Sequence, residues 1–216
     1  MSRSKIIGAS LLAIAAAGGS ALAADVPSYE PPPSNPVYSP TPAFSWTGAY
    51  AGLFGGYNWG TANIGPAPTT AKPKGFLGGL YTGYNFAPAG NFLLGVEGDI
   101  FASGQKGADG AGLTVSNPWG ATLRARAGLT FNRFLLYGTG GLAMGSIKAS
   151  NAGGSDSQFK TGWTVGAGLE AALTDKLTTR IEYRYTDYGT ASLATAPAST
   201  VDLHTSGVLV GVGLKF

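Results

Sequence analysis

Asp202, His204 and Ser206 alternate near the end of the chain and carry the side-chain types of an acyl-transfer relay. Acid, base and nucleophile are the groups such chemistry uses. Along an extended strand, however, same-face neighbours stand in a line about 6.6 Å apart. A relay needs hydrogen-bond contact between nucleophile, base and orienting group. His204 is also the sole histidine of the sequence. The spacing favours a solvated loop edge, with a membrane-bound hydrolase as a minor alternative. No other His or carboxylate cluster has metal-ligand spacing, and the absence of cysteine removes thiolate sites and disulfides. Gly138-Thr139-Gly140-Gly141 lacks the following helix that a phosphate-binding loop requires. No cofactor is expected.

A second set of charges is spaced by two. Glu97 and Asp99, Arg124 and Arg126, and Arg180, Glu182 and Arg184 each fall on one face of a strand. The alternate positions are apolar or aromatic: Leu94, Val96 and Ile100; Leu123, Ala125, Ala127 and Leu129; Ile181, Tyr183 and Tyr185. In the last segment Val208, Val210, Val212, Leu214 and Phe216 oppose Lys215 and a row of glycines. A soluble barrel would turn its charges outward. Here the apolar face is free of charge across the segment centres, as lipid demands, since a midplane Arg or Lys on that side costs about 2–4 kcal/mol. Glu97, Asp99, Arg124, Arg126, Glu170, Arg180, Glu182, Arg184 and Lys215 are therefore expected in a lumen. Rows of opposite charge there should pair, because an unpaired buried charge is expensive. Glu97, Glu170 and Glu182 against Arg124, Arg126 and Arg180 are the candidate partners, with individual pairs left open.

These faces require strands, and the chain supplies eight segments of suitable length: 46–59, 75–86, 92–102, 117–130, 134–145, 160–173, 177–188 and 203–216. A tilted membrane strand needs about 9–11 residues. The connections 60–74, 87–91, 103–116, 131–133, 146–159, 174–176 and 189–202 alternate long and short. Outer-membrane barrels show this alternation, with long loops outside, short turns in the periplasm and an even strand number. The fold class expected is all-β, an eight-stranded antiparallel up-and-down transmembrane β-barrel over 46–216. Thirty-five glycines, many inside the strand segments, suit close backbone approach in a small closed barrel. Trp46 at the inner end, and Trp59, Trp119 and Trp163 at the outer ends, are expected in two interfacial aromatic belts.

The N-terminus matches this destination. Arg3 and Lys5, an apolar stretch from Ile6 to Ala17 and the triplet Ala21-Leu22-Ala23 predict a signal peptide over 1–23. Removing it takes two of the 14 basic residues, leaving 12 against 11 acidic ones. The basic balance thus belongs mostly to the precursor and points to no nucleic-acid partner. Seven of the 13 prolines lie between Pro27 and Pro42, predicting an extended periplasmic leader over 24–45. No later run of 18 apolar residues exists, so no helical span is expected.

Trp46-Thr47-Gly48-Ala49-Tyr50, Gly75-Phe76-Leu77-Gly78-Gly79, Gly83-Tyr84-Asn85 and Gly95-Val96-Glu97-Gly98-Asp99 resemble the small porin-like surface proteins of alphaproteobacteria. So do Thr161-Gly162-Trp163-Thr164-Val165-Gly166-Ala167-Gly168-Leu169-Glu170 and Glu182-Tyr183-Arg184-Tyr185-Thr186-Asp187. That family lies within the OmpA-like eight-stranded barrels. The resemblance implies an abundant outer-membrane component and surface antigen that supports envelope integrity. It also implies that Phe216 is the signal read by the barrel assembly machinery. The proline-rich leader departs from relatives that carry a globular periplasmic domain. An eight-stranded lumen is just wide enough for side chains to fill, so a charge-plugged structural protein is the main expectation and a narrow ion porin the alternative. Lipid and lipopolysaccharide are the expected surroundings, and a monomer the expected state.

Overall fold

A computed structural model describes residues 44–216 apart from 66–68, 109–113, 152–153 and 194–198. The signal peptide over 1–23 and nearly all of the 24–45 leader lie outside the described residues.

The described chain contains strands and no helix. They are β1 (Gly48–Gly65), β2 in two pieces (Thr69–Ala71 and Lys74–Ala89), β3 (Phe92–Ala108), β4 (Thr114–Phe131), β5 (Phe134–Asn151), β6 (Gly154–Ala172), β7 (Leu177–Leu193) and β8 (Ser199–Lys215). Both pieces of β2 pair with β1 in one continuous register, Ala62 facing Ala71 and Trp59 facing Lys74. The break falls at Lys72-Pro73, where proline has no N–H to give the ladder. Each strand pairs antiparallel with the next, and β8 returns to β1 from Tyr50–Lys215 to Gly65–Thr200. An eight-stranded closed barrel results.

Two of the tight turns rest on left-handed residues. Gly90 (φ 55°) and Asn132 (φ 52°) reverse the chain between β2 and β3 and between β4 and β5. Both are types that tolerate this conformation. At the third short turn, the Thr174 hydroxyl accepts from the backbone N–H of Leu177 at 3.0 Å.

The four connections expected to be loops of 14 or 15 residues prove to be mostly strand. β1 runs to Gly65, β3 to Ala108, β5 to Asn151 and β7 to Leu193, each well past its expected end. The expected boundaries marked where lipid-facing apolar residues end. Backbone pairing continues beyond them in Gly-, Ser- and Thr-rich sequence that water can solvate on one face.

Alternation along each strand divides the wall cleanly. Leu53, Leu80, Ile100, Leu123, Leu142, Val165, Ile181 and Val210 are all exposed on the outside. Inside, buried side chains form three apolar clusters. Trp46, Leu93, Leu135, Tyr137 and Ala172 close the short-turn end. Ala62, Ile64, Ala71, Val115, Ala143, Ile147, Tyr188 and Leu203 fill the long-loop end. Between them, Tyr50, Phe54, Leu77, Tyr81, Phe101 and Leu209 line the β1–β2–β3–β8 side. Inward glycines make room for these rings: a Cβ on Gly168 would stand 2.6 Å from the Tyr137 ring.

Candidate functional site

The remaining lumen holds an ionic network. β3 contributes Glu97 and Asp99, β4 Arg124 and Arg126, β6 Glu170, and β7 Arg180, Glu182 and Arg184. All eight are buried, and the four acids balance the four arginines. Strand alternation turns them inward, and the register brings Glu97 directly opposite Arg124.

Arg124 is the hub. Its Nη2 donates to Glu97 Oε1 at 2.5 Å and to Asp99 Oδ2 at 3.1 Å. Its Nη1 donates across the lumen to Glu182 Oε1 at 2.6 Å and to Thr139 Oγ1 at 3.1 Å. Arg180 Nη1 donates to Glu97 Oε2 at 2.5 Å. Arg184 Nε donates to Glu182 Oε1 at 2.9 Å, and its Nη2 lies 3.2 Å from Asp99 Oδ2. Arg126 pairs with Glu170. Hydroxyls complete the acids: Tyr50 donates to Glu97, Tyr137 to Glu182 and Thr122 to Asp99, at 3.0, 3.0 and 2.6 Å. The Arg180 guanidinium lies 3.5 Å from the Tyr81 ring centre, and that of Arg126 lies 3.9 Å from the Tyr137 ring centre. Charge and aromatic wall thus meet through cation–π contacts.

Eight of the nine expected lumen charges enter this network. Lys215 does not: it sits half-buried on the inward face at the barrel's end, its ammonium 5.8 Å from the Phe44 ring. The last strand residue lies below the level of the acids. Glu170 faces Arg180 in register but bonds Arg126 instead, because long side chains reach across a narrow lumen. Tyr50, Thr122, Tyr137 and Thr139 were not among the expected members. Their position on the charged face, at spacing two from it or across from it, was the available signal.

Of the four tryptophans, Trp59, Trp119 and Trp163 lie exposed on the outer wall. Trp46 is a correction. It is only 5% exposed and its indole Nε1 donates to the Asn132 carbonyl at 3.1 Å. Preceding β1, it folds into the lumen mouth as a stopper and takes no place in a lipid belt. Phe216 is exposed at the short-turn end, its N–H bonded to the Ala49 carbonyl at 2.9 Å.

The Asp202–His204–Ser206 line is on the outward face near the long loops. His204 lies between Asp187 Oδ2 (3.4 Å) and Asp202 Oδ2 (3.5 Å), and its Nδ1 is 3.2 Å from the Tyr185 hydroxyl. Ser206 instead accepts from the Tyr183 hydroxyl at 3.1 Å. Acid and base meet; the nucleophile is engaged elsewhere.

A closed antiparallel barrel with an apolar outer wall and an ionic interior defines a class: the outer-membrane β-barrels. The family model described as outer membrane protein beta-barrel domain matches residues 9–216. The chain belongs to that family and is an outer-membrane protein. It is 39% identical over 213 residues to the "25 kDa outer-membrane immunogenic protein" of Brucella abortus, covering 98% of this chain and 96% of that one. It is 40% identical over 176 residues to the "22 kDa outer membrane protein" of Rhizobium leguminosarum, covering 81% and 80%. Among solved structures, the outer membrane protein OprG of Pseudomonas aeruginosa has the same fold (TM-score 0.55, 16% identity, 79% of this chain and 97% of that chain).

Proposed function

We propose that the protein is a non-catalytic structural component of the outer membrane, with its lumen plugged by the Arg124-centred network and its long-loop end presented to the exterior. The carrying observation is the network itself: charges from β3, β4, β6 and β7 are bonded to one another across the lumen, between an apolar cluster at each end. Such a plug would block solute flow. Support for the envelope belongs to this reading, and the description of the Brucella relatives as outer-membrane immunogenic proteins supports a role as a surface antigen. Closure of β8 on β1 leaves no long unpaired edge, which supports a monomer. Phe216 is exposed, which suits recognition by assembly machinery.

Single-channel recording of the refolded mature chain in a planar bilayer tests the plug. Electrical silence, with heat-modifiable gel migration confirming a folded barrel, is expected. Salt-dependent steps altered by Arg124→Gln would overturn it in favour of a narrow porin. One observation favours that second reading. Among the described residues the buried atoms Asn85 Oδ1, Tyr81 OH, Arg124 Nε, and Arg126 Nε and Nη1 have no hydrogen-bond partner, and water entering part of the lumen would satisfy them. An activity against peptide or ester substrates lost in His204→Ala would overturn the non-catalytic assignment.

A further inference from the structure

One register row crosses six strands near the long-loop end: Trp59, Lys74, Lys106, Ser116, Lys148 and Ser157 are successive cross-strand partners. Lys74, Lys106 and Lys148 point outward and are exposed, whereas their chain neighbours Pro73, Gln105 and Ile147 are buried. Adjacent strands lie about 4.8 Å apart, so the three ammonium groups fall within one patch. The ion pairs among the described residues include none of the three. Lys74 and Lys106 are directly opposed, and like charges so placed destabilise a ladder unless a counter-charge sits between them.

Their level on the wall decides what that counter-charge is. Phe76 lies two residues below Lys74, and Phe159 two residues below Ser157, the partner of Lys148; both are exposed outward. Trp119 stacks near Phe159 with ring centres 5.7 Å apart, completing the aromatic layer under the row. Such belts sit at the headgroup level, so the lysines stand at the plane of lipid phosphates. The opposite sector of the same rim carries Asp187 and Asp202 around His204 and would repel an anion.

We propose that the Lys74–Lys106–Lys148 face is a binding site for the phosphorylated headgroup of an outer-leaflet glycolipid, which fixes one lipid against the β2–β5 sector. The inference rests on the barrel's place in the membrane and is independent of whether the lumen conducts.

Native mass spectrometry of the refolded mature chain in neutral detergent, titrated with bis-phosphorylated lipid A, tests it. The K74Q/K106Q/K148Q variant is expected to lose affinity by on the order of a hundredfold, since each basic group near an anionic lipid surface contributes about two-thirds of a tenfold step. D187N/D202N should bind as the parent does. Heat-modifiable migration reports whether each variant folds; should the triple variant fail, K106Q alone is expected to lose about fivefold. Unchanged affinity in the folded triple variant, or in folded K106Q where the triple variant fails, overturns the site. Equal binding of fully dephosphorylated lipid A does the same. Displacement of lipid A by inorganic phosphate would show a free-phosphate site and overturn the glycolipid assignment.

Discussion

Arg124 and Leu123 are neighbours in β4, yet one is wholly buried and the other 58% exposed. The exposed residue is the apolar one. Inside the wall each guanidinium is paired with a carboxylate; outside, between the aromatic layers, no described outward side chain is charged. The two faces of one strand therefore obey opposite solvents, and burial alone does not say which residues resist change. What matters is whether a side chain has the partners its own side of the wall requires.

Substitutions can break that contrast, and the largest effect should come from the hub. Arg124→Met leaves Glu97, Asp99 and Glu182 sharing too few cations, and should destabilise the barrel by about 3–5 kcal/mol. Urea unfolding in liposomes, followed by tryptophan fluorescence, measures it. The reciprocal offence, Leu123→Arg, puts a charge in lipid and should cost about 2–4 kcal/mol in the same assay. Gly168→Val would crowd the Tyr137 ring and lower stability by about 1–3 kcal/mol, seen as a lower midpoint at unchanged slope. Smallest is Asp175→Asn, which removes the exposed Arg133–Asp175 pair at the third short turn's level. A change below about 1 kcal/mol is expected, and a larger one would deny that solvent screening separates it from the lumen pairs.

The alternation of Arg180, Glu182 and Arg184 with Ile181, Tyr183 and Tyr185 was enough to assign both faces, because a period of two survives any error in strand ends. Strand length was not legible in the same way. Beyond the aromatic layer, β3 and β5 continue in mostly polar sequence, with single inward apolar residues such as Ile147 and no outward apolar row to mark the strand. The ion pairs were hidden as well, since Glu170 selects Arg126 over its register neighbour Arg180 according to lumen width and rotamer. Trp46 was misplaced because a residue just before a strand has no alternation to tell inside from outside. The meeting of Asp187 with His204 likewise depended on the β7–β8 register.

The seam between β1 and β8 has a consequence for how the molecule comes into being. Tyr50 pairs with Lys215, so the first strand cannot acquire its second neighbour until the final residues are available. The network partners are also far apart along the chain, Arg124 and Glu97 by 27 residues and Arg180 and Glu97 by 83. Such non-local closure is slow, because chain entropy is lost before most contacts form. A fragment that lacks β8 leaves β1 without one of its two strand neighbours. Sealing of the interior therefore waits on the pairing of β8 with β1.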